Sequence, residues 1–333
     1  MKKSKVIVFL FAFFLIISVL WFKKYYKLDY DPHKSSQIQS KKEEKTKNEN
    51  NTDSLRQEGK NLAEKNKQTE KEVKTENNKD IKKEQNTNNR EEKKKSVETT
   101  WWHPKPGLSW QWQLDGKLDI SVSAQVFDID LFDNSAQVIK ALHQQGKKVI
   151  CYFSAGSYEN WRPDKNKFSQ NVLGKKMDGW AGERWLDIRK INLLSNVIIE
   201  RLDLAKKKHC DAVEPDNVDG YDNKTGFSLN YNDQLHYNRW LSQEAHKKGL
   251  AIGLKNDLEQ VNDLVNYFDF AINEQCFEYK ECNKLIPFIQ KNKAVFGVEY
   301  SGNSKKFCKK ANQMRFSWLK KKEDLKSWRI SCR

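Results

Sequence analysis

From Trp110 onward the chain alternates between short apolar runs and longer amphipathic stretches. No other feature constrains the fold as strongly. The runs are WQWQL (110–114), VFDIDLF (126–132), KVICYFS (148–154), WLDI (185–188), DAVEPDN (211–217), LAIGLKN (250–256), FDFAINEQ (268–275) and AVFGVEY (294–300). Several are rich in β-branched or aromatic residues and all are short, as buried parallel strands are. Between them lie SAQVIKALHQQGK, LLSNVIIERLDLAKKK, NDQLHYNRWLSQEAHKKG and CNKLIPFIQKNK. Their apolar positions repeat at three and four, and two of these stretches stop at a glycine. Strand–helix alternation predicts right-handed βα units around a parallel sheet. Eight such strands predict an α/β fold of the (β/α)8 TIM-barrel type. The alternative is an open doubly wound sheet, whose phosphate-binding turn GxGxxG is absent. SWRISC (327–332) reads as an extra strand or an extended tail.

Barrel enzymes hold their catalytic groups at the C-terminal ends of the strands, and the polar residues of these runs collect at that end. The second run supplies Asp128 and Asp130, the third Tyr152 and Ser154, and the fourth Trp185 and Asp187. DAVEPDNVDGY supplies Glu214, Asp216 and Asn217, then Asp219 and Tyr221. The sixth run ends in Lys255 and Asn256, followed by Asp257; the seventh ends in Glu274 and Gln275, the eighth in Glu299 and Tyr300. Arg162, Arg189 and Lys255 pair with some of these acids but not all, and a buried unpaired carboxylate is costly. An open polar cleft accounts for the excess. Trp110, Trp112, Tyr158, Trp161 and Trp180 add aromatic faces near the expected mouth. Carboxylates in an aromatic-lined cleft are the equipment of a glycosidase, one acting as nucleophile or base and another as acid.

Glu214 and Asp216 alternate onto one side of a strand, about 7 Å apart at the backbone. Asp216 and Glu274 come from strands two neighbours apart, about 10 Å at the backbone. Inward-pointing side chains close that gap to the ~5–5.5 Å of a retaining enzyme. Pro215 has no N–H for a ladder and marks a strand end or a bulge, with a side chain turned into a site. Glu214 is then placed to bind substrate or to raise the pKa of a neighbour.

The stretch from about Trp110 to Tyr300 resembles glycoside hydrolase family 114, the endo-α-1,4-polygalactosaminidase family. The matching motifs are WQWQLDGKLD, VFDIDLFD, VICYFSAGSYENWRPD, GERWLDIR, DAVEPDNVDGY, GLKND and NEQCFEYKEC. The resemblance implies a TIM barrel that cleaves α-1,4 bonds in galactosamine-rich polymers with retention. It places the catalytic carboxylates on Asp216 in EPDN, as nucleophile, and Glu274 in NEQC, as acid/base. It also implies a cationic substrate, because de-acetylated galactosamine carries an ammonium. Some of Asp128, Asp130, Glu214, Asp219, Asp257 and Glu299 are expected to read that amino group. The remaining strand-end residues are expected to bind the sugar, with no cofactor and no metal.

The chain has 333 residues and a net charge of +16, split evenly between residues 1–100 and 101–333 at +8 each. Nucleic-acid binding is not expected, since no basic helix with interleaved aromatics and no zinc-finger spacing occurs. Residues 6–22 carry no charge over 17 positions, at the short limit for crossing a bilayer. No small-x-small cleavage site follows, which favours an anchor over a cleaved signal. The expected layout is a membrane or signal-anchor segment (1–27), a disordered charged linker (28–100) and a monomeric catalytic domain (101–333). The linker has too few apolar residues to offset its ordering entropy. Delivery to the cell surface or outside permits disulfides. Cys276 with Cys282 and Cys308 with Cys332 are the expected pairs, while Cys151 and Cys210 read as buried thiols.

Three other functions compete. Lys255 as a Schiff-base lysine would need a depressed pKa, which the neighbouring acids oppose. A metal-dependent deacetylase needs ligands at strand tips, yet His143, His209, His236 and His246 fall on predicted helices or their ends. A tethered carbohydrate-binding barrel without turnover is the non-enzyme alternative.

Overall fold

The computed structural model describes residues 101–333, so the expected anchor and linker lie outside the described residues. Among the described residues, no helix is long and apolar enough to cross a membrane. Strands β1 (Trp110–Gln113), β2 (Val126–Asp130) and β3 (Lys148–Ser154) lead into an insert of three short strands. These are β4 (Ser157–Glu159), β5 (Leu173–Lys176) and β6 (Glu183–Leu186). The main sheet resumes with β7 (Ala212–Asp216), β8 (Ala251–Lys255), β9 (Phe270–Glu274) and β10 (Val295–Glu299). It ends with β11 (Ser317–Lys320) and β12 (Ile330–Ser331).

Nine strands form this sheet in the order β1-β2-β3-β7-β8-β9-β10-β11-β12. Pairing is parallel from β1 through β11, and β12 returns antiparallel. Helices α1 (Ala136–Gln144), α2 (Ile191–Lys207) and α3 (Tyr231–Lys247) make the longer crossovers. Shorter ones, α4 (Val261–Leu264), α5 (Cys276–Tyr279) and α6 (Ile286–Gln290), follow β8 and β9, and α7 (Ser304–Gln313) links β10 to β11. Local chemistry starts them. Ser135 caps α1, and Asn230 with Asp233 forms a capping box on α3, which satisfies backbone donors that the first turn leaves free.

The sheet curls. Its C-terminal segment reaches back to the first strand: Leu114 N donates to Leu325 O at 3.0 Å, and Gln111 Nε2 to Ser327 O at 2.8 Å. Trp110 of β1 packs on Phe296 of β10 at 5.1 Å between centroids.

Two apolar layers result. The outer core lies between sheet and helices, with Phe127, Val149, Phe153, Val213 and Leu254 meeting Val197, Ile198, Leu202 and Leu241. The inner core holds Trp110, Trp112, Val126, Ile150, Ala212, Ala251, Phe270 and Phe296. Period-two alternation carries each inner row upward. Val126 is followed by Asp128 and Asp130, Ile150 by Tyr152, Ala212 by Glu214 and Asp216, and Phe270 by Ile272 and Glu274. The interior is therefore apolar at the N-terminal end and ionisable at the other.

Two expectations are corrected. WLDI is not a strand of the main sheet: Trp185 and Leu186 belong to β6, which pairs antiparallel with β4 and β5. Its apolar residues arise from local duty, with Leu186 and Ile188 packed into the outer core. The eighth parallel strand is instead Ser317–Lys320, in register with β10. Only Trp318 and Leu319 mark it before a run of lysines, too little for period or length to register.

The second correction is to the cysteines. Cys276–Cys282 and Cys308–Cys332 are bonded as expected, and Cys151–Cys210 is a third disulfide rather than two thiols. Removing WLDI from the sheet makes β3 and β7 neighbours. Asp211 N donates to Val149 O at 2.9 Å, which brings Cys210 alongside Cys151.

Candidate active site

A cleft of about 810 Å³ opens at the C-terminal ends of the strands, lined by Trp112, Tyr152, Asp216, Lys255, Glu274 and Tyr300 among others. Backbone chemistry turns Asp216 into it. The β7–β8 ladder runs through Val213 and stops before Pro215, which has no N–H to continue it. On the other side, Asp216 O accepts from Ala155 N at 2.9 Å and Gly156 N at 3.1 Å. A Cβ on residue 156 would sit 1.7 Å from Asn217 O, so only glycine allows this approach.

Three donors hold the Asp216 carboxylate. Tyr152 OH reaches Oδ2 at 3.0 Å; Lys255 Nζ and Asn217 N reach Oδ1 at 3.0 and 2.9 Å. Glu274 accepts from Tyr300 OH at Oε1, and from Asn256 Nδ2 and Lys255 Nζ at Oε2, both at 3.3 Å. Asn256 Oδ1 in turn accepts from Glu274 N at 3.0 Å. Sharing one ammonium, at 3.0 Å from Asp216 Oδ1 and 3.3 Å from Glu274 Oε2, keeps the two carboxylates close neighbours across the cleft.

Burial alone would lower the Lys255 pKa. Asp216, Glu214 and Glu274 outweigh it and raise that pKa well above the ordinary lysine value. Lys255 is thus a fixed cation, which removes the Schiff-base chemistry. Burial first, and then Asp216, raises Tyr152; burial first, and then Glu274, raises Tyr300. Both phenols therefore stay protonated as donors.

Beneath this pair lie Glu214 and Asp128, both fully buried. Glu214 accepts from Trp112 Nε1 at 3.0 Å and pairs with Lys255 at 2.9 Å. Neither Asp128 oxygen has a donor, and its neighbour Glu214 is itself an acceptor. Two facing acceptors need a proton between them. Burial, and then Glu214, pushes Asp128 well above the carboxylate range, and burial raises Glu214 too, against the pull of Lys255, so the pair shares a proton.

The other sequence-predicted residues divide into two groups. Asp130, Trp185, Asn217, Asp219, Asn256 and Gln275 line the cleft. Asp130 is already saturated, taking Arg162 through both oxygens at 3.0 and 2.7 Å. Asp128, Asp187, Glu214, Tyr221, Asp257 and Glu299 do not line it. Asp187 is buried against Arg189 at 2.7 Å. Glu299 accepts Phe277 N and Glu278 N at 3.0 and 3.2 Å, at the start of α5. Tyr221 packs edge-on against Tyr231. Asp257 sits behind Asp219 and accepts from Asn238 at 2.8 Å. Burial, and then Asp219, lifts Asp257 to about 8. Burial, and then Asp216, lifts Asp219 to about 6.

Sequence reasoning missed several lining groups. Glu159 and Glu183 come from the insert, and Asp115, Asp133, Asp178, Glu323 and Asp324 from loops. No strand-end rule reaches them. Burial raises Glu159 to about 7 despite Arg162 and Arg201, and burial also raises Glu183, which accepts from Ser157 Oγ at 2.7 Å. Eleven of the 27 lining residues are carboxylates and two are basic, although the whole chain is strongly cationic. Among the described residues, no group of three or more His, Cys, Asp or Glu is arranged to hold a metal ion.

Paired carboxylates at the mouth of a curled α/β sheet are the arrangement that glycoside hydrolases use. The sequence model of glycoside-hydrolase family GH114 matches residues 91–333, and the chain belongs to that family. Among solved structures, it is similar to Aspergillus fumigatus Ega3 in complex with galactosamine. The identity is 40% and the TM-score 0.67, covering 69% of this chain and 97% of that one. The glycoside hydrolase domain of PelA from Pseudomonas aeruginosa shares the fold at 10% identity and a TM-score of 0.55, covering 67% and 98%. Among curated protein sequences, nothing matches. The chain is an endo-α-1,4-polygalactosaminidase-like glycoside hydrolase.

Proposed function

We propose that the cleft hydrolyses α-1,4 linkages within a galactosamine-containing, cationic polysaccharide, with retention, using Asp216 and Glu274. The observation that carries this is the single ammonium of Lys255 held between those two carboxylates in a cleft where acids far outnumber bases. Family membership and a relative solved with galactosamine support it.

With the polymer bound, Glu274 enters the first step in its protonated form: Asp216 attacks C1 of the sugar while Glu274 gives that proton to the glycosidic oxygen. The C1–O bond breaks and an Asp216–C1 ester forms. Glu274 then takes a proton from water, the water oxygen attacks C1, and Asp216 leaves as a carboxylate. The negative charge moves from Asp216 to Glu274 in the first step and returns in the second. Lys255 is within hydrogen-bonding reach of both, so the cation need not move as the charge does. The acidic lining attracts ammonium groups along the strand. Asp219 lines that cleft directly, whereas Asp128, Glu214 and Glu299 act through other protein groups.

The curled sheet is read as a (β/α)8 barrel whose seam is bridged by residues 325–331, with a monomeric catalytic domain. Three disulfides fit an oxidising compartment, and a cell-surface or extracellular location, with an anchor at residues 6–22, belongs to the same proposal.

The test is incubation of the full-length protein with de-N-acetylated α-1,4-galactosaminan, with mass spectrometry of released oligomers and NMR of the first-formed anomer. Wild type should release α-anomeric oligomers; Asp216→Asn and Glu274→Gln should not. A folded wild type that releases nothing overturns the substrate, and β-anomeric product overturns retention.

A further inference from the structure

Between β3 and α2 the chain spends residues 155–190 on the small antiparallel sheet β4-β6-β5, far more than a βα connection requires. Two tryptophans on this insert are left open, Trp161 at 50% exposure and Trp180 at 57%. Trp110, Trp112 and Trp318 are each 1% exposed. An indole left half in water forgoes much of its burial energy, and both open ones line the cleft.

They are held firmly. The β5–β6 turn is closed by Trp180 N to Met177 O at 3.3 Å and Glu183 N to Trp180 O at 3.2 Å. Asn160 N donates to Gly182 O at 3.2 Å, and the Asn160 side chain fills the space that a Cβ on residue 182 would occupy, 2.5 Å away. Gly182 also has φ +95°, closed to most other residues. This contact ties the Trp161 segment to the Trp180 turn. On the other side of Trp161, Arg162 is locked by Glu159 and Asp130. Behind the turn lies a second concavity of about 730 Å³, which shares Met177, Asp178, Gly179, Trp180 and Glu183 with the cleft. Trp180 thus stands on the ridge between two hollows, with Asp178 and Glu183 lining both and Lys176 and Arg184 lining only the second.

We infer that Trp161 and Trp180 form a platform for the uncleaved part of the polymer. The strand leaves the catalytic pair across Trp161, crosses the ridge at Trp180 and enters the second hollow. The apolar faces of its rings stack on the indoles, and its ammonium groups meet Asp178 and Glu183. This rests on the proposed function and extends it from the scissile bond to the strand.

The experiment measures binding, so that it does not depend on turnover. The Asp216→Asn protein is titrated calorimetrically with de-N-acetylated α-1,4-galactosaminan strands of increasing defined length. Affinity should rise with length, and adding Trp180→Ala should remove about tenfold of that rise. Trp180→Phe, which keeps an aromatic face, should restore most of it. Affinity independent of length, or an equal loss on the shortest and longest strands, overturns the platform. Length-dependent binding with no cleavage by wild type would leave the platform standing and overturn the proposed cleavage of that polymer.

Discussion

The ammonium of Lys255 stands between Asp216 and Glu274, 3.0 Å from Asp216 Oδ1 and 3.3 Å from Glu274 Oε2. It also pairs with Glu214 at 2.9 Å and is 2% exposed. Removing it leaves three carboxylates without their cation. Lys255→Met should destabilise the protein by about 3–5 kcal/mol, read as a lower urea midpoint, and abolish turnover. A variant of unchanged stability would mean that the ammonium is not the partner of these acids.

With the shared proton on Asp128, its hydroxyl donates a hydrogen bond to Glu214. Asparagine is then a close substitute and leucine is not. Asp128→Asn should keep the fold at neutral pH within about 1 kcal/mol. Asp128→Leu should cost about 1–3 kcal/mol more, because Glu214 loses a donor. Urea denaturation of the two variants decides it; equal losses would mean that Asp128 carries no proton.

Asp219 becomes an anion as pH rises through about 6. If it holds an ammonium of the substrate, KM for de-acetylated oligomers should fall across that pH and level off above it. Asp219→Asn should raise KM and erase the inflexion. Persistence of the inflexion in the variant would assign it to another group.

Asp257 is raised to about 8, so the folded state holds its proton where the unfolded state has released it. Stability from this group is complete below about 4 and is lost as pH rises toward 8, by at most about 1.4 kcal/mol per pH unit. Its φ of +42° is one that asparagine also tolerates. Asp257→Asn should therefore lose less stability than wild type between pH 5 and 8. Parallel losses in urea titrations at the two pH values would show that Asp257 is ionised throughout.

The Cys151–Cys210 disulfide spans 59 residues and Cys276–Cys282 spans 6. Loop-closure entropy assigns them about 4 and about 2 kcal/mol. Double alanine replacement of the first pair should cost roughly twice that of the second, measured by chemical denaturation. The reverse order would mean that native-state packing around the cysteines dominates.

Much of this site was legible because two-residue periodicity survives in the sequence. Once β7 and β9 are read as strands with inward rows, Asp216 and Glu274 must rise from the same interior, and Lys255 on the strand between them must join them. Asp187 shows where the same rule fails. It ends an apolar run as Asp216 does, but its run belongs to another sheet. The carboxylates at Glu159, Glu183 and Glu323 lie on segments whose direction depends on packing, and no local pattern marks them.

By itself the sequence determined the alternation of strand and helix, the apolar base of the interior and the ionisable residues above it. These follow from short-range backbone geometry, in which side chains alternate across a strand and recur every 3.6 residues on a helix. Only the tertiary structure decided which strands are neighbours. That choice made β3 adjacent to β7, brought Cys151 to Cys210, put Ser317–Lys320 in the sheet and moved WLDI to the rim. It depends on non-local contacts between residues far apart in the chain, where the free energy of burial is summed over the whole core and no single segment carries it.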